Sequence, residues 1–182
     1  PGVLFGDESV VQKIAGTRSG IVDGHSPGVS GNDLNAYIGA GMGSDHESVA
    51  LEEAREKLSR GMYVMIREGS SEKNLEALLP LVTERTYKRC MFVVDDRHGE
   101  DILHDGDIDA VVRKAIRLGL DPVRAIQLAS INTADYFRLR WHGAVAPGYY
   151  ASFLILDDLK NLTIGSVYYH GKKVAEQGKP LF

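Results

Sequence analysis

The chain has 182 residues, 43% hydrophobic and 25% charged, which is enough apolar material for a buried core and excludes a disordered polymer. Lys and Arg number 21 against 25 Asp and Glu, a formal charge of −4 with no basic cluster to offset it, so nucleic acid is not an expected partner. The single cysteine, Cys90, excludes an internal disulfide framework and a four-cysteine zinc site.

The opening stretch Pro1-Gly2-Val3-Leu4-Phe5-Gly6 has no basic segment leading into an apolar run, and no run approaches the roughly 18 apolar residues of a membrane span. A soluble, cytoplasmic protein with no membrane partner is the expectation. Asp7 is placed to cap a helix through Ile14, which Gly16 ends. A short run, Gly20-Ile21-Val22, leads into Asp23-Gly24-His25, and a helical stretch over 32–40 precedes a second run ending in Ser44-Asp45-His46-Glu47. Ser48 is the expected cap of the next helix, whose stripe is Leu51, Ala54 and Leu58 and whose stop is Gly61. Met62 to Ile66 is a third run, ending in Arg67-Glu68-Gly69. Residues 71–82 read as a helix with Leu75, Leu78 and Leu79 inward, and Cys90 to Val94 is a fourth run, ending in Asp95-Asp96.

Short, continuous apolar runs separated by amphipathic helices are the pattern of a parallel sheet buried on both faces. Such βα units suit an α/β barrel or a doubly wound sheet, and no Gly-x-Gly-x-x-Gly or Walker-type loop follows any of them. Helices are expected over 108–118 and over 122–131, the latter with Pro122 in its first turn. Beyond Trp141 the texture changes to short strands, Phe153 to Asp158 and Val167 to Val174, with a tight turn at His170-Gly171.

Polar residues that directly follow buried parallel strands face the active-site end of a barrel. Here they are His25, His46, Glu68 and Asp95, one from each of four successive units. Two imidazoles and a carboxylate suit a borderline divalent ion such as zinc, manganese or iron, which lowers the pKa of a water it holds to about 7. A nearby carboxylate can then take and return the proton. Each histidine also has an ordinary alternative as a hydrogen-bonded structural residue. His98, His104, His142 and His170 fall in loops or near the β segment and are read as solvated. Asp96 is expected to point away from Asp95, as a turn cap or behind a ligand; Asp101, Asp105, Asp107 and Asp109 read as a solvated acidic face with helix caps, and Cys90 as inert core.

Ser26-Pro27-Gly28 opens a loop of small residues whose backbone N–H groups are candidates for meeting a planar ligand, although an ordinary turn accounts for Pro-Gly as well. Arg67 and Glu68 either contact a ligand, with Glu68 accepting from ring or amino N–H groups of a heterocycle, or form an ion pair closing the barrel mouth.

Val22-Asp23-Gly24-His25-Ser26-Pro27-Gly28, Gly43-Ser44-Asp45-His46-Glu47, Met65-Ile66-Arg67-Glu68-Gly69-Ser70 and Val94-Asp95-Asp96-Arg97-His98 together resemble the adenine deaminases of the amidohydrolase superfamily. Ile131-Asn132-Thr133-Ala134 and Gly143-Ala144-Val145-Ala146-Pro147-Gly148 fit the same family. Each motif is weak singly; their order along the whole chain carries the resemblance. It implies the C-terminal half of a (β/α)8 TIM-type barrel over 1–140, followed over 141–182 by strands of a small β-sandwich domain. It implies metal-dependent hydrolysis of adenine to hypoxanthine and ammonia. His25 and His46 would be metal ligands on the fifth and sixth barrel strands, and Asp95, ending the eighth, a ligand and proton shuttle. Glu68 would contact the purine and share in catalysis, with Arg67, Ser26 and Gly28 also on the substrate side. The implied metal is manganese or iron, with zinc also suitable, in a binuclear site in the complete enzyme.

Two departures from the family pattern stand out. No His-x-His occurs, nor does a bridging carboxylate from a fourth barrel strand, and Ala151-Ser152 stands where Ala-Asp is usual. A barrel of this type needs about 250 residues, so the chain is read as part of a larger enzyme and inactive by itself. The open sheet edges would be covered by a missing N-terminal half or by a homo-oligomer. The alternatives are another amidohydrolase acting on a cyclic amide or aminated ring, and a non-catalytic half-barrel that assembles with a partner.

Overall fold

The computed structural model describes residues 2–17 and 20–182; Pro1 of the opening stretch lies outside them. Strands β1 (Val22–Gly24), β2 (Met42–Asp45), β3 (Tyr63–Arg67) and β4 (Cys90–Val93) form one parallel sheet in the order β1-β2-β3-β4. Helices α1 (Glu8–Gly16), α2 (Gly31–Gly39) and α3 (Leu51–Ser59) precede the first three strands, and the short α4 (Leu75–Leu78) stands between β3 and β4.

The apolar runs of β3 and β4 are buried because each strand feeds two cores. Val64, Ile66, Cys90 and Phe92 point toward the helices, packing with Ala54, Leu75, Leu78 and the inward stripes of α6 (Ile108–Arg117) and α7 (Pro122–Ala129). Met65 and Met91 point to the opposite face, where Tyr136 of α8 (Ile131–Tyr136) covers them. Alternation of side chains across a strand therefore produces a continuous hydrophobic sequence rather than a polar–apolar one. A third cluster, Leu34, Tyr37, Met42 and Met62, seats α2.

Local chemistry sets several ends as expected. The Asp7 carboxylate accepts from the amides of Ser9 and Val10 at the start of α1, and Asp121 accepts from Arg124 N ahead of Pro122 in α7. Elsewhere tertiary partners override it. Ser48 does not cap α3; Ala50 holds the cap position, and the Ser48 hydroxyl turns inward to Asp45. The helix expected over 71–82 is confined to α4 and a single 3-10 turn, Leu79–Leu81. Its first residues are held in an extended loop instead: Asp96 accepts from the amides of Ser71 and Glu72, and Asn74 exchanges hydrogen bonds with the Arg67 backbone. Pro80 then ends the α geometry. The helix expected over 122–131 divides at Ser130 into α7 and α8. Helix α5 (Gly99–His104) has no counterpart among the expected elements.

The remaining strands, β5 (Phe153–Asp158), β6 (Thr163–Tyr169), β7 (Lys172–Glu176) and β8 (Lys179–Pro180), form a separate antiparallel meander. His170 and Gly171 both take positive φ between Tyr169 and its partner Lys172, the geometry of a tight primed hairpin turn. Phe153 stacks on Tyr168 at 4.7 Å between ring centres, so these aromatics pack within the sheet. Leu162, from the β5–β6 connection, is buried in the main core and joins the meander to α6 and α7.

Candidate metal centre

Parallel pairing brings the C-terminal ends of β1 and β2 side by side, with Gly24 opposite Asp45. The next residue on each strand is a histidine. His25 and His46 meet edge to face with ring centres 4.7 Å apart, and one ligand atom from each, together with a carboxylate oxygen of Glu47, all lie within 4.8 Å of one another. His25 Nδ1 is 2.9 Å from Glu47 Oε1, and that hydrogen bond raises the His25 pKa against the opposing effect of burial. His46 Nδ1 is 3.0 Å from Asp23 Oδ2. Two imidazoles and one carboxylate in this volume are the donor set of a borderline divalent ion.

A second carboxylate locks the two histidine loops together. Asp45 Oδ1 accepts from the backbone N–H and the hydroxyl of Ser26, the residue after His25, at 3.1 and 2.8 Å. Asp45 Oδ2 accepts from Glu47 N at 3.2 Å and Ser48 N at 2.9 Å, directly after His46. Lys57, wholly buried, donates to Asp45, to the Ser26 carbonyl and to Ser48 Oγ, and pairs with Glu53 at 2.7 Å. Burial would push the Asp45 carboxyl up, but the Lys57 charge and the hydrogen bonds from Ser26, Ser48 and Lys57 outweigh it and hold the carboxyl below its ordinary value.

At the ends of β3 and β4 the residues divide between two sides. Arg67, nearly buried, reaches Asp95 Oδ2 at 2.7 Å and Glu72 at 3.0 Å, with Glu47 Oε1 at 3.8 Å. Arg67 therefore joins the Glu47 edge of the histidine cluster to Asp95. Asp95 has φ of +55°, a left-handed conformation that aspartate tolerates better than most residues. The next residue, Asp96, faces the 70s loop, as the sequence pattern implies. The amide of Ser71 and, less strongly, that of Glu72 bring the Asp96 pKa down to about 2 against the opposing effect of desolvation. Glu68 faces away from the histidines: it pairs with Lys114 at 2.7 Å, and its Oε2 is buried without a partner.

Several expectations are redrawn by this geometry. The structure brings His25, His46 and Glu47 within 4.8 Å of one another, while the Asp95 carboxylate meets Arg67. The Arg67–Glu68 ion pair does not form, because successive side chains at a strand end point to opposite faces. Ser26 is wholly buried with its N–H and hydroxyl engaged by Asp45, and Gly28 N donates to Glu53 Oε1 at 2.8 Å, so those donors serve the protein's own carboxylates. His98, His104, His142 and His170 are exposed, and Cys90 is buried with its thiol pushed up to about 12 by desolvation.

The sequence assigned no chemical role to Glu47, Asp23 or Lys57, although Asp23 and Glu47 stand in the motifs that carry the resemblance. A signal existed for Lys57, since a lysine three residues after the inward Ala54 sits near the apolar stripe of its helix. Nothing local marks Asp23 or Glu47, whose partners come from another strand.

Residues 9–174 match the model of the amidohydrolase family. The adenine deaminase of Dehalococcoides mccartyi is 66% identical over 182 residues, which is 100% of this chain and 32% of that protein. Adenine deaminase 2 of Carboxydothermus hydrogenoformans is 52% identical over the same 182 residues, again 32% of its length. The chain thus spans about a third of the length of the curated relatives it matches. Among solved structures, a β-aspartyl dipeptidase from Fervidobacterium islandicum AW-1 superposes with a TM-score of 0.71 at 16% identity, covering 98% of this chain and 54% of that one; at that identity it is the fold that is shared. A parallel sheet with a histidine at the end of each of its first two strands, and a family match spanning nearly all of the chain, establish that this chain belongs to the amidohydrolase family.

Proposed function

We propose that this chain supplies part of the catalytic barrel of a hydrolase that converts adenine and water to hypoxanthine and ammonia. The observation that carries the reading is the meeting of His25, His46 and Glu47 at adjoining strand ends, in a chain 66% identical to a protein named adenine deaminase.

The donor chemistry fits a divalent ion. His25 and His46 would hold it, with Glu47 in reach as a third ligand; manganese or iron is favoured, zinc is also compatible, and a second ion would need ligands from outside these residues. Such an ion supplies Lewis acidity, which makes water a competent nucleophile at neutral pH. Asp95 is the group to take a proton from the attacking water and return it to the departing amine, in the general acid–base role. Arg67 holds the Asp95 carboxylate in place, and its contact with Glu47 ties that carboxylate to the site. Arg67 engages Asp95 Oδ2, and Asp95 Oδ1 would be the oxygen turned to a water or an ion. Glu68 is paired with Lys114 through Oε1 and keeps Oε2 unpartnered, so Oε2 is the acceptor it would offer a purine.

Cytoplasmic location and burial of the sheet edges by further barrel strands or a second copy belong to the same reading. No helix among the described residues is long and apolar enough to cross a membrane.

The test is ammonia release from adenine by the intact gene product carrying this chain, with metal content measured in parallel. The reading requires turnover that a chelator abolishes, and loss of bound metal in His25→Ala and His46→Ala. Turnover of cyclic ureides or aminopyrimidines in place of adenine would redirect it to another ring, and unchanged metal in both variants would remove it. The 182 residues alone are expected to bind metal weakly and to leave adenine intact.

A further inference from the structure

We propose that Tyr136 is a positioning residue for His46, acting through Ser44 and Asp23. The inference rests on the metal-site reading only in giving the oriented ring a task. Tyr136 sits on α8, 92 positions from Ser44, and its hydroxyl lies 2.6 Å from Ser44 Oγ. Ser44 Oγ lies 2.6 Å from Asp23 Oδ1, and the other oxygen of that carboxylate lies 3.0 Å from His46 Nδ1.

The polarity of this chain has one solution. An ionised carboxylate only accepts, so the Ser44 hydroxyl must donate to Asp23. Ser44 Oγ is then left to accept, which makes the Tyr136 phenol its donor. Burial pushes the Tyr136 phenol up in pKa, so it carries its proton at neutral pH. On the other side, Asp23 Oδ2 requires N–H at His46 Nδ1. A neutral imidazole with its proton on Nδ1 has its lone pair on Nε2, the form that binds a cation. Tyr136 and Ser44 thus hold Asp23 in the rotamer that selects this tautomer and fixes the plane of the ring.

The relay is built into the interior. Ser44 is wholly buried and Tyr136 nearly so. A Cβ at Gly43 would lie 2.9 Å from the Tyr136 hydroxyl, so the chain leaves this space for the phenol. Helix α8 is itself anchored, because Asn132 Nδ2 donates to the carbonyls of Tyr87 at 2.7 Å and Cys90 at 2.9 Å, at the start of β4. Carboxylate partners behind a ligating histidine are a general device, and losing one typically weakens metal binding about 10–100-fold. The further residues here extend that support to a helix remote in sequence.

The experiment reads the His46 tautomer in the metal-free intact gene product by long-range 1H–15N correlation spectra, with His46 assigned from His46→Asn. Manganese affinity is measured on the same samples. Wild type should show the proton on Nδ1. Ser44→Ala and Tyr136→Phe should mix in the Nε2–H tautomer and lower manganese affinity, Ser44→Ala by about tenfold and Tyr136→Phe by less. Tyr63→Phe, whose ring packs on Tyr136 with centres 4.5 Å apart, should change neither readout. A merely structural tyrosine would lower the melting temperature and leave the tautomer unchanged. The Nε2–H tautomer in wild type, or an unmoved tautomer in both variants, overturns the relay. An Nδ1–H tautomer that responds to Ser44→Ala in a protein that binds no divalent ion upholds the relay and removes the metal reading instead.

Discussion

Lys57 Nζ and Asp45 Oδ2 meet at 3.1 Å with neither side chain exposed to solvent. The pair sits between the residues that follow His25 and His46, so a buried charge pair braces the two loops against each other. Removing one member of such a pair leaves the other charge uncompensated in the interior. Lys57→Met should therefore destabilise the fold by about 3–5 kcal/mol, read from the denaturant midpoint. The surviving folded fraction should bind divalent metal less tightly, because Ser26 and Ser48 lose their common anchor. A variant with native stability and native metal affinity would contradict this account.

Glu47 and Asp95 are both carboxylates at strand ends, but only Glu47 lies within ligand distance of both imidazoles. Glu47→Gln should lower metal affinity by about 10–100-fold, the range for losing a carboxylate that hydrogen-bonds a ligating histidine. Asp95→Asn should retain metal and lose turnover by about 10²–10⁴-fold, the usual range for a general acid–base group. Titration with manganese and steady-state ammonia release separate the two. The reverse pattern would place Asp95 in the ligand shell and Glu47 behind it.

Gly69 lies where Asp96 reaches across to the amides of Ser71 and Glu72. A Cβ added there would overlap Asp96 Oδ1 and sit 2.8 Å from the Val94 carbonyl oxygen. Gly69→Ala should cost about 1–3 kcal/mol, the range for overpacking a fitted site. It should also raise the Asp96 pKa as the carboxylate is displaced from its amide donors. Chemical denaturation and side-chain carbonyl titration by NMR measure both effects.

Cys90 reacts as a thiolate or not at all, and desolvation pushes its pKa up to about 12. A raised thiol pKa means that the protonated, unreactive form persists through neutral and mildly alkaline pH. Iodoacetamide at pH 8 should leave the folded protein unlabelled and modify it after denaturation. Rapid labelling of folded protein would show that β4 opens or that its start is exposed.

The parallel sheet was legible in the sequence because both faces of β3 and β4 are buried, so every position in Met65-Ile66 and Met91-Phe92 had to be apolar. His25 and His46 were legible because each directly follows a buried strand. The helix over 71–82 misled because its leucine spacing is helical while its first residues answer to Asp96 and Asn74, partners a propensity argument does not contain. Ser48 misled for the same reason, since a serine near a helix start serves as a cap only when nothing buried competes for its hydroxyl, and here Asp45 and Lys57 do.

The sequence by itself determined the four parallel strands, the placing of a histidine directly after each of the first two, and the family resemblance. These depend on hydrophobic periodicity and on short motifs, which are local. Only the tertiary structure decided that Glu47 completes the histidine cluster and that Arg67 and Glu68 part to opposite sides. It alone placed Lys57, Tyr136 and Asp23 behind the two histidines. Those assignments depend on parallel register and on contacts spanning up to 92 positions, and hydrogen-bond partners at that range leave no periodic mark on the chain.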